Sequence, residues 1–229
     1  QGASHHGVPR GAARKTDMTD FKSLGLSDRL LERLAEQNLT QPTPIQVQAI
    51  PHVLNGRDVM GLAQTGTGKT AAFGLPLIQT LTAQRRKPAP RMVHALILAP
   101  TRELAKQIEA NLGKFAQGTP TRICVVTGGA SLNAQADRLS KGTDILVATP
   151  GRLIDLIDRR AVMLSDVRFL VLDEADRMLD MGFIHALRRI ARLIPTERQT
   201  LLFSATMPKL MAEIAADYLK DPVRVEVAP

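Results

Sequence analysis

Tryptophan is absent from the 229 residues, Tyr218 is the only tyrosine, and aromatic side chains make up 3% of the chain. So few aromatics argue against a platform on which successive nucleobases stack and favour other groups as the contacts to any nucleic acid. The single cysteine, Cys124, rules out an internal disulfide framework and leaves too few thiolates for a structural zinc site, which points to a reducing compartment. No apolar run approaches the roughly 18 residues of a membrane span, and the N-terminus has no signal-peptide core. These absences predict a soluble, cytoplasmic protein with no membrane partner.

What is present begins with charge. Thirty Lys and Arg face 22 Asp and Glu, a formal net charge of +8, which favours a polyanionic partner. Residues 1–17, "QGASHHGVPRGAARKTD", carry +2 of this charge, pair His5 with His6 and show no apolar period. They read as a leader or expression remnant, with Met18 as the expected natural start. The length suits one domain with a sizeable core, expected over 18–229.

Short Val, Ile and Leu runs recur along that domain: "DVMGLA" (58–63), "HALILA" (94–99), "RICVVT" (122–127), "DILVAT" (144–149), "FLVLD" (169–173), "TLLFSA" (200–205) and "VRVEV" (223–227). Apolar residues on successive positions predict strands covered on both faces. Helical periodicity falls between them, near 69–83, 102–117, 150–159, 184–193 and 208–219. Alternation of this kind predicts an α/β domain, a mostly parallel sheet of about seven strands with helices on both faces. Ligands of such sheets bind outside the carboxyl ends of the strands. There the sequence places "QTGTGKT", "PTRE", "GG", "TPGR", "EAD" and "SAT". The tract "AQRRKPAPR" (83–91) reads as an exposed basic loop.

"AQTGTGKT" runs from Ala63 to Thr70 between a strand and a helix. Gly66 and Gly68 allow the backbone around Thr65 and Thr67 to turn its N–H groups inward. Lys69 then reaches outer phosphates, and Thr70 offers a hydroxyl to Mg²⁺. Ala63 stands where the strict phosphate-loop pattern has its first glycine. The apolar run "LVLDEADRML" ends in Asp173, Glu174 and Asp176 within four positions, an arrangement that repels itself unless a cation is held nearby. Asp173 is placed to bind Mg²⁺, directly or through water, and Glu174 to orient and deprotonate an attacking water. A solvated acidic turn is the alternative.

Asp173-Glu174-Ala175-Asp176 spells DEAD, and it occurs in order with "AQTGTGKT", "PTRELA" (100–105), "TPGR" (149–152) and "SAT" (204–206). Over 18–229 the chain resembles the first RecA-like domain of DEAD-box RNA helicases, a P-loop fold. "LTQPTPIQ" (39–46) resembles that family's Q motif, with a Q-motif region near 19–47, and "MLDMGF" is most similar to the bacterial RhlE-like branch. The resemblance implies that ATP and Mg²⁺ are the cofactors and RNA the partner. It implies that Gln46 reads the adenine edge, with Gln41 beside it, and that Phe21 stacks on the base; packing of Phe21 onto the first helix is the alternative reading. Asp176 would hydrogen-bond Ser204 and Thr206, coupling ATP state to RNA. The RNA site would comprise Pro100, Thr101, Arg102, Gly128, Gly129, Thr149, Gly151 and Arg152, groups that suit phosphates and 2′-hydroxyls more than base edges. Arg102 as a helix-surface charge and Thr149-Pro150 as a helix start are the bland alternatives.

Family members carry a second RecA-like domain with an "HRxGRxGR" segment that supplies arginines to the γ-phosphate, and no such segment occurs here. The expectation is a monomeric ATP-binding domain, nearly inactive until joined to its own C-terminal RecA-like partner. A GTPase would need an "NKxD" segment, which is missing; an RNA clamp would lack catalytic acids, whereas Glu174 is present. A DNA helicase would share the loop and acids without Gln46 and "PTRELA".

Overall fold

The computed structural model describes residues 20–228; the expected leader at 1–17 and the start at Met18 lie outside them. A 3₁₀ turn (Lys22–Leu24) leads into helices α1 (Asp28–Glu36) and α2 (Pro44–Leu54). Strand and helix then alternate as β1 (Val59–Leu62), α3 (Lys69–Gln84), β2 (Val93–Leu98), α4 (Arg102–Phe115), β3 (Ile123–Val126), α5 (Leu132–Leu139), β4 (Thr143–Ala148) and α6 (Pro150–Asp158). The chain continues through β5 (Phe169–Leu172), α7 (Ala175–Asp180), α8 (Ile184–Leu193), β6 (Gln199–Ser204), α9 (Lys209–Tyr218) and β7 (Val223–Glu226). The seven strands form one sheet in the order β3-β4-β2-β5-β6-β1-β7, and every neighbouring pair is parallel.

Side-chain alternation along each strand divides the core into two layers. Ala95, Ile97, Phe169, Val171, Leu201 and Phe203 join residues of α1 to α4 on one face. Leu96, Leu98, Leu170, Leu172 and Leu202 join residues of α5 to α9 on the other. Both faces are covered, which is why the strands read as unbroken apolar runs. No described helix is long and apolar enough to cross a membrane.

The strand order sorts the rim at the carboxyl ends. β5, β6 and β1 are contiguous, so the acidic turn, the Ser-Ala-Thr turn and the glycine loop sit side by side. β3, β4 and β2 are likewise contiguous and gather the remaining polar loops. The two halves meet at the β2–β5 junction, where the Asp173 N–H donates to the Leu98 carbonyl at 2.9 Å.

Candidate functional site

Gly68 caps α3 in the left-handed conformation (φ 81°). A Cβ there would lie 2.6 Å from Gln46 Nε2, so the loop requires glycine both for its backbone angle and for this close approach. Gln46 uses the approach: its Nε2 donates to the Gly68 carbonyl at 2.9 Å, and its Oε1 accepts from the Thr43 N–H at 3.0 Å. Gly66, also left-handed (φ 87°), faces open space where a Cβ would meet nothing. The loop is a cradle left exposed at Thr65 and Gly66 and braced by Gln46.

Lys69 is the first residue of α3 and is buried, and Asp173 is fully buried at the end of β5. The Lys69 Nζ lies 2.9 Å from Asp173 Oδ1, off the direction of a good hydrogen bond, and neither carboxylate oxygen has a hydrogen-bond partner. Burial pushes the Asp173 carboxyl above the usual carboxylate range, and the Lys69 ammonium opposes that shift. Such a buried, under-coordinated carboxylate beside an open cradle fits a divalent cation that draws its other ligands from phosphates and water. Among the described residues no group of three His, Cys, Asp or Glu is arranged to hold a metal alone. The three clustered acids, assigned separate roles from the sequence, go to different partners.

Glu174 stands in the left-handed region (φ 50°), an uncommon position for a side chain of this size, and its Oε1 accepts from Thr65 Oγ1 at 3.4 Å. That contact joins the acidic turn to the glycine loop. Asp176 turns the other way: its Oδ2 accepts from the Thr206 N–H at 3.1 Å and from the Thr206 hydroxyl at 2.8 Å. Ser204, expected to bond Asp176 as well, does not. Fully buried at the end of β6, it donates to the Thr206 carbonyl at 2.7 Å and shapes the turn that presents Thr206.

On the other half of the rim, Thr101 caps α4 by accepting the Leu104 N–H at 3.1 Å. Arg102, exposed on the first turn, extends to the glycine pair after β3, where a Cβ on Gly129 would lie 3.4 Å from its Nη1. Gly128 and Gly129 are exposed, Pro100 and Thr149 are buried, and Gly151 is half-buried beside Phe183. Arg152 Nη1 donates to the Ala130 carbonyl at 2.9 Å and to Gln135 Oε1 at 3.0 Å. Gln135 in turn donates to the Thr127 carbonyl at 3.0 Å. One guanidinium and one buried amide thus lock the loops after β3 and β4 together.

Residues 43–214 match the DEAD/DEAH box helicase family. The chain belongs to that family. It is 45% identical over 210 residues to the DEAD-box ATP-dependent RNA helicase CshA of Bacillus cereus (strain ATCC 10987 / NRS 248), covering 92% of this chain and 39% of the relative. The CshA of Bacillus thuringiensis (strain Al Hakam) matches with the same identity and coverage. The crystal structure of a DEAD box protein from the hyperthermophile Methanococcus jannaschii superposes with a TM-score of 0.85 at 36% identity, covering 91% of this chain and 56% of that one. The chain spans about two fifths of the length of the curated relatives it matches.

Within this DEAD/DEAH box domain, most residues singled out from the sequence lie at the carboxyl ends of the strands, with one difference besides Ser204. Phe21 is 5% exposed and packs with Leu24, Leu26 and Leu30 in the core; a ring covered on that scale offers no open face for a base, and the packing alternative describes it. Gln41 lies exposed in a bend before α2 with no side-chain partner, and Thr67 Oγ1 donates to the Gln64 carbonyl at 2.8 Å inside the loop. Gln135 went unrecognised in the sequence. Its only signal there is a polar side chain at a core position of a short amphipathic helix, three residues from Leu132 and four from Leu139.

Proposed function

We propose that this DEAD/DEAH box domain binds ATP with Mg²⁺ at the β1–β5–β6 half of its rim and the RNA backbone at the β2–β3–β4 half, as the first RecA-like domain of an RNA-dependent ATPase and helicase. The observation that carries the reading is the Lys69–Asp173 pair at 2.9 Å. The ammonium stands where a cation must neutralise a fully buried carboxylate. With a triphosphate in the cradle, Lys69 would pair with its outer phosphates, and Asp173 with the Thr70 hydroxyl would hold Mg²⁺, directly or through water. The bound metal would offset the phosphate charge.

The residues of the chain divide the remaining work. Inward N–H groups of the Gly66–Gly68 segment and the N-terminus of α3 bind the phosphates. Gln46 retains one N–H and one acceptor lone pair beyond its two internal bonds, a donor–acceptor pair that suits the adenine edge, with Gln41 beside it. Glu174 Oε takes the proton from the attacking water, a role worth roughly 10²–10⁴ in rate. The Asp176–Thr206 contact links the acidic turn to β6 and carries the nucleotide state toward the RNA half. RNA is held through phosphates and 2′-hydroxyls by the Thr101 and Thr149 helix starts, Arg102, Gly128, Gly129, Gly151 and Arg152. The γ-phosphate arginines come from a second RecA-like domain, a contribution of about 10³ or more.

Nucleotide titration with Lys69→Ala and Glu174→Gln tests this reading. ATP should bind in preference to GTP, weakly to the first variant and normally to the second. Equal affinity for GTP, or equal loss in both variants, contradicts it.

A further inference from the structure

The far rim of the sheet, at the amino ends of the strands, holds a cavity of about 580 Å³ walled by the end of α3, the 86–88 loop, the approach to β3 and the start of β4. Arg29, Arg85, Arg86 and Lys87 converge on it, with Asp144 the one acidic wall residue among the described residues. Asp144 is already engaged: its Oδ2 accepts the Arg122 backbone N–H at 2.8 Å, and its Oδ1 faces His94 Nδ1 at 3.9 Å. Arg86 pairs with Asp166 at 3.3 Å. Among the described residues no acidic side chain lies within ion-pair distance of Arg29, Arg85 or Lys87, and Arg29 only reaches the Gln117 carbonyl at 3.4 Å.

The cavity is also held in shape. Arg85 occupies the C-cap of α3 in the left-handed region (φ 52°), where glycine is the unstrained choice. The following loop carries Pro88 and Pro90 and lies against Gly142, where a Cβ would approach the carbonyl oxygens of Pro88 and Ala89 to 2.6 Å. The Met92 N–H closes the loop onto the Ala89 carbonyl at 3.0 Å. A braced loop delivers its cations to a fixed place, whereas a flexible basic tail would not.

We propose that this cavity is a second RNA contact, taking the phosphodiester backbone on the rim opposite to the first; the proposal rests on the reading of the domain as an RNA binder. Among the described residues no aromatic side chain lines the cavity, so bases have nothing to stack on, while guanidiniums, an ammonium and the Thr121 hydroxyl suit phosphate oxygens. RNA reaching both rims would bind with a steeper salt dependence than the first site alone produces.

The test is a titration of fluorescent single-stranded RNA into this chain and into Arg85→Ala/Lys87→Ala over a range of salt, with ATP affinity measured in parallel. Both residues are exposed and make no side-chain bond, so the variant should fold. The expected result is RNA affinity reduced about tenfold at low salt and a salt slope shallower by about 1.4, at roughly 0.7 per lost phosphate contact, with ATP affinity unchanged. Arg188→Ala/Arg192→Ala, the same charge loss on α8, should leave the slope in place. Unchanged affinity and slope in the Arg85/Lys87 variant, while Arg102→Ala still weakens binding, would overturn the second site and leave the first standing. An equal loss in the α8 variant would reduce the effect to net charge and also overturn it. Failure of the unmodified chain to bind RNA would remove both readings, and binding of polyglutamate that the Arg85/Lys87 variant alone loses, with RNA binding intact, would assign the cavity to an acidic protein.

Discussion

Asp173 is stripped of water by β2, β5 and the turn that follows, and a single ammonium answers it. Truncating that ammonium leaves a buried charge unpaired, which typically costs about 3–5 kcal/mol. Lys69→Ala should therefore lower the melting temperature of the unliganded domain as well as its ATP affinity, whereas Glu174→Gln, whose amide oxygen can still accept from Thr65, should leave the melting temperature nearly unchanged. Thermal denaturation of the two variants side by side checks this, and a Lys69→Ala protein as stable as the unmodified chain would contradict the pairing. Gly68→Ala belongs to the same scale. The added methyl meets Gln46 Nε2 at 2.6 Å in a left-handed backbone, so a loss of roughly 1–3 kcal/mol is expected, together with weaker ATP binding.

At the scale of elements, the sequence made some features plain and hid others for physical reasons. Each of the seven apolar runs became a strand; in the central strands β2, β5 and β6 burial on both faces leaves few polar residues to blur the pattern, whereas the edge strand β7 keeps Arg224 and Glu226 exposed. The short helices α5 and α7 carry too few turns for a period to stand out. Strand order is set by pairings between residues far apart in the chain, and no local pattern records that β1 lies between β6 and β7. The clustering of the motif-bearing loops on one rim was legible, as was the pairing of Asp176 with Thr206; the Glu174 contact to Thr65 and the turn-shaping bond of Ser204 were not, since they depend on how the glycine loop and the end of β6 come alongside. Gln135 illustrates the same limit. Its amide joins Thr127 to Arg152 across two loops, and Gln135→Ala leaves both partners short of a bond, a loss of about 1–3 kcal/mol. RNA affinity should fall roughly tenfold, equivalent to about 1.4 kcal/mol, with ATP affinity unchanged; RNA binding at the original strength would contradict the bracing role.

For the whole molecule, Tyr218 supplies a probe of the folded state under alkaline conditions. It is buried between α8 and α9, where its hydroxyl donates to the Leu187 carbonyl, and burial pushes its phenol well above the usual range despite the nearby Arg198. Below the ordinary tyrosine value of about 10 the phenol is neutral in both folded and unfolded chains and contributes no pH dependence. Above it the unfolded chain ionises first, so stability falls as pH rises. Because Tyr218 is the only tyrosine and tryptophan is absent, tyrosinate absorbance should appear together with the loss of helical circular dichroism, and Tyr218→Phe should move the alkaline transition upward. Ionisation of the phenol in a still-folded chain would contradict the burial.

On the proposed function, one rim joins an ATP site to an RNA site and a second RecA-like domain completes the chemistry. Steady-state ATP hydrolysis tests it most directly, measured for this chain alone and joined to such a domain, each with no nucleic acid, with single-stranded RNA, and with DNA of the same sequence. Turnover is expected only in the joined protein, stimulated by RNA and not by DNA, and abolished by Glu174→Gln. Robust RNA-stimulated hydrolysis by this chain alone, or equal stimulation by DNA, would contradict it.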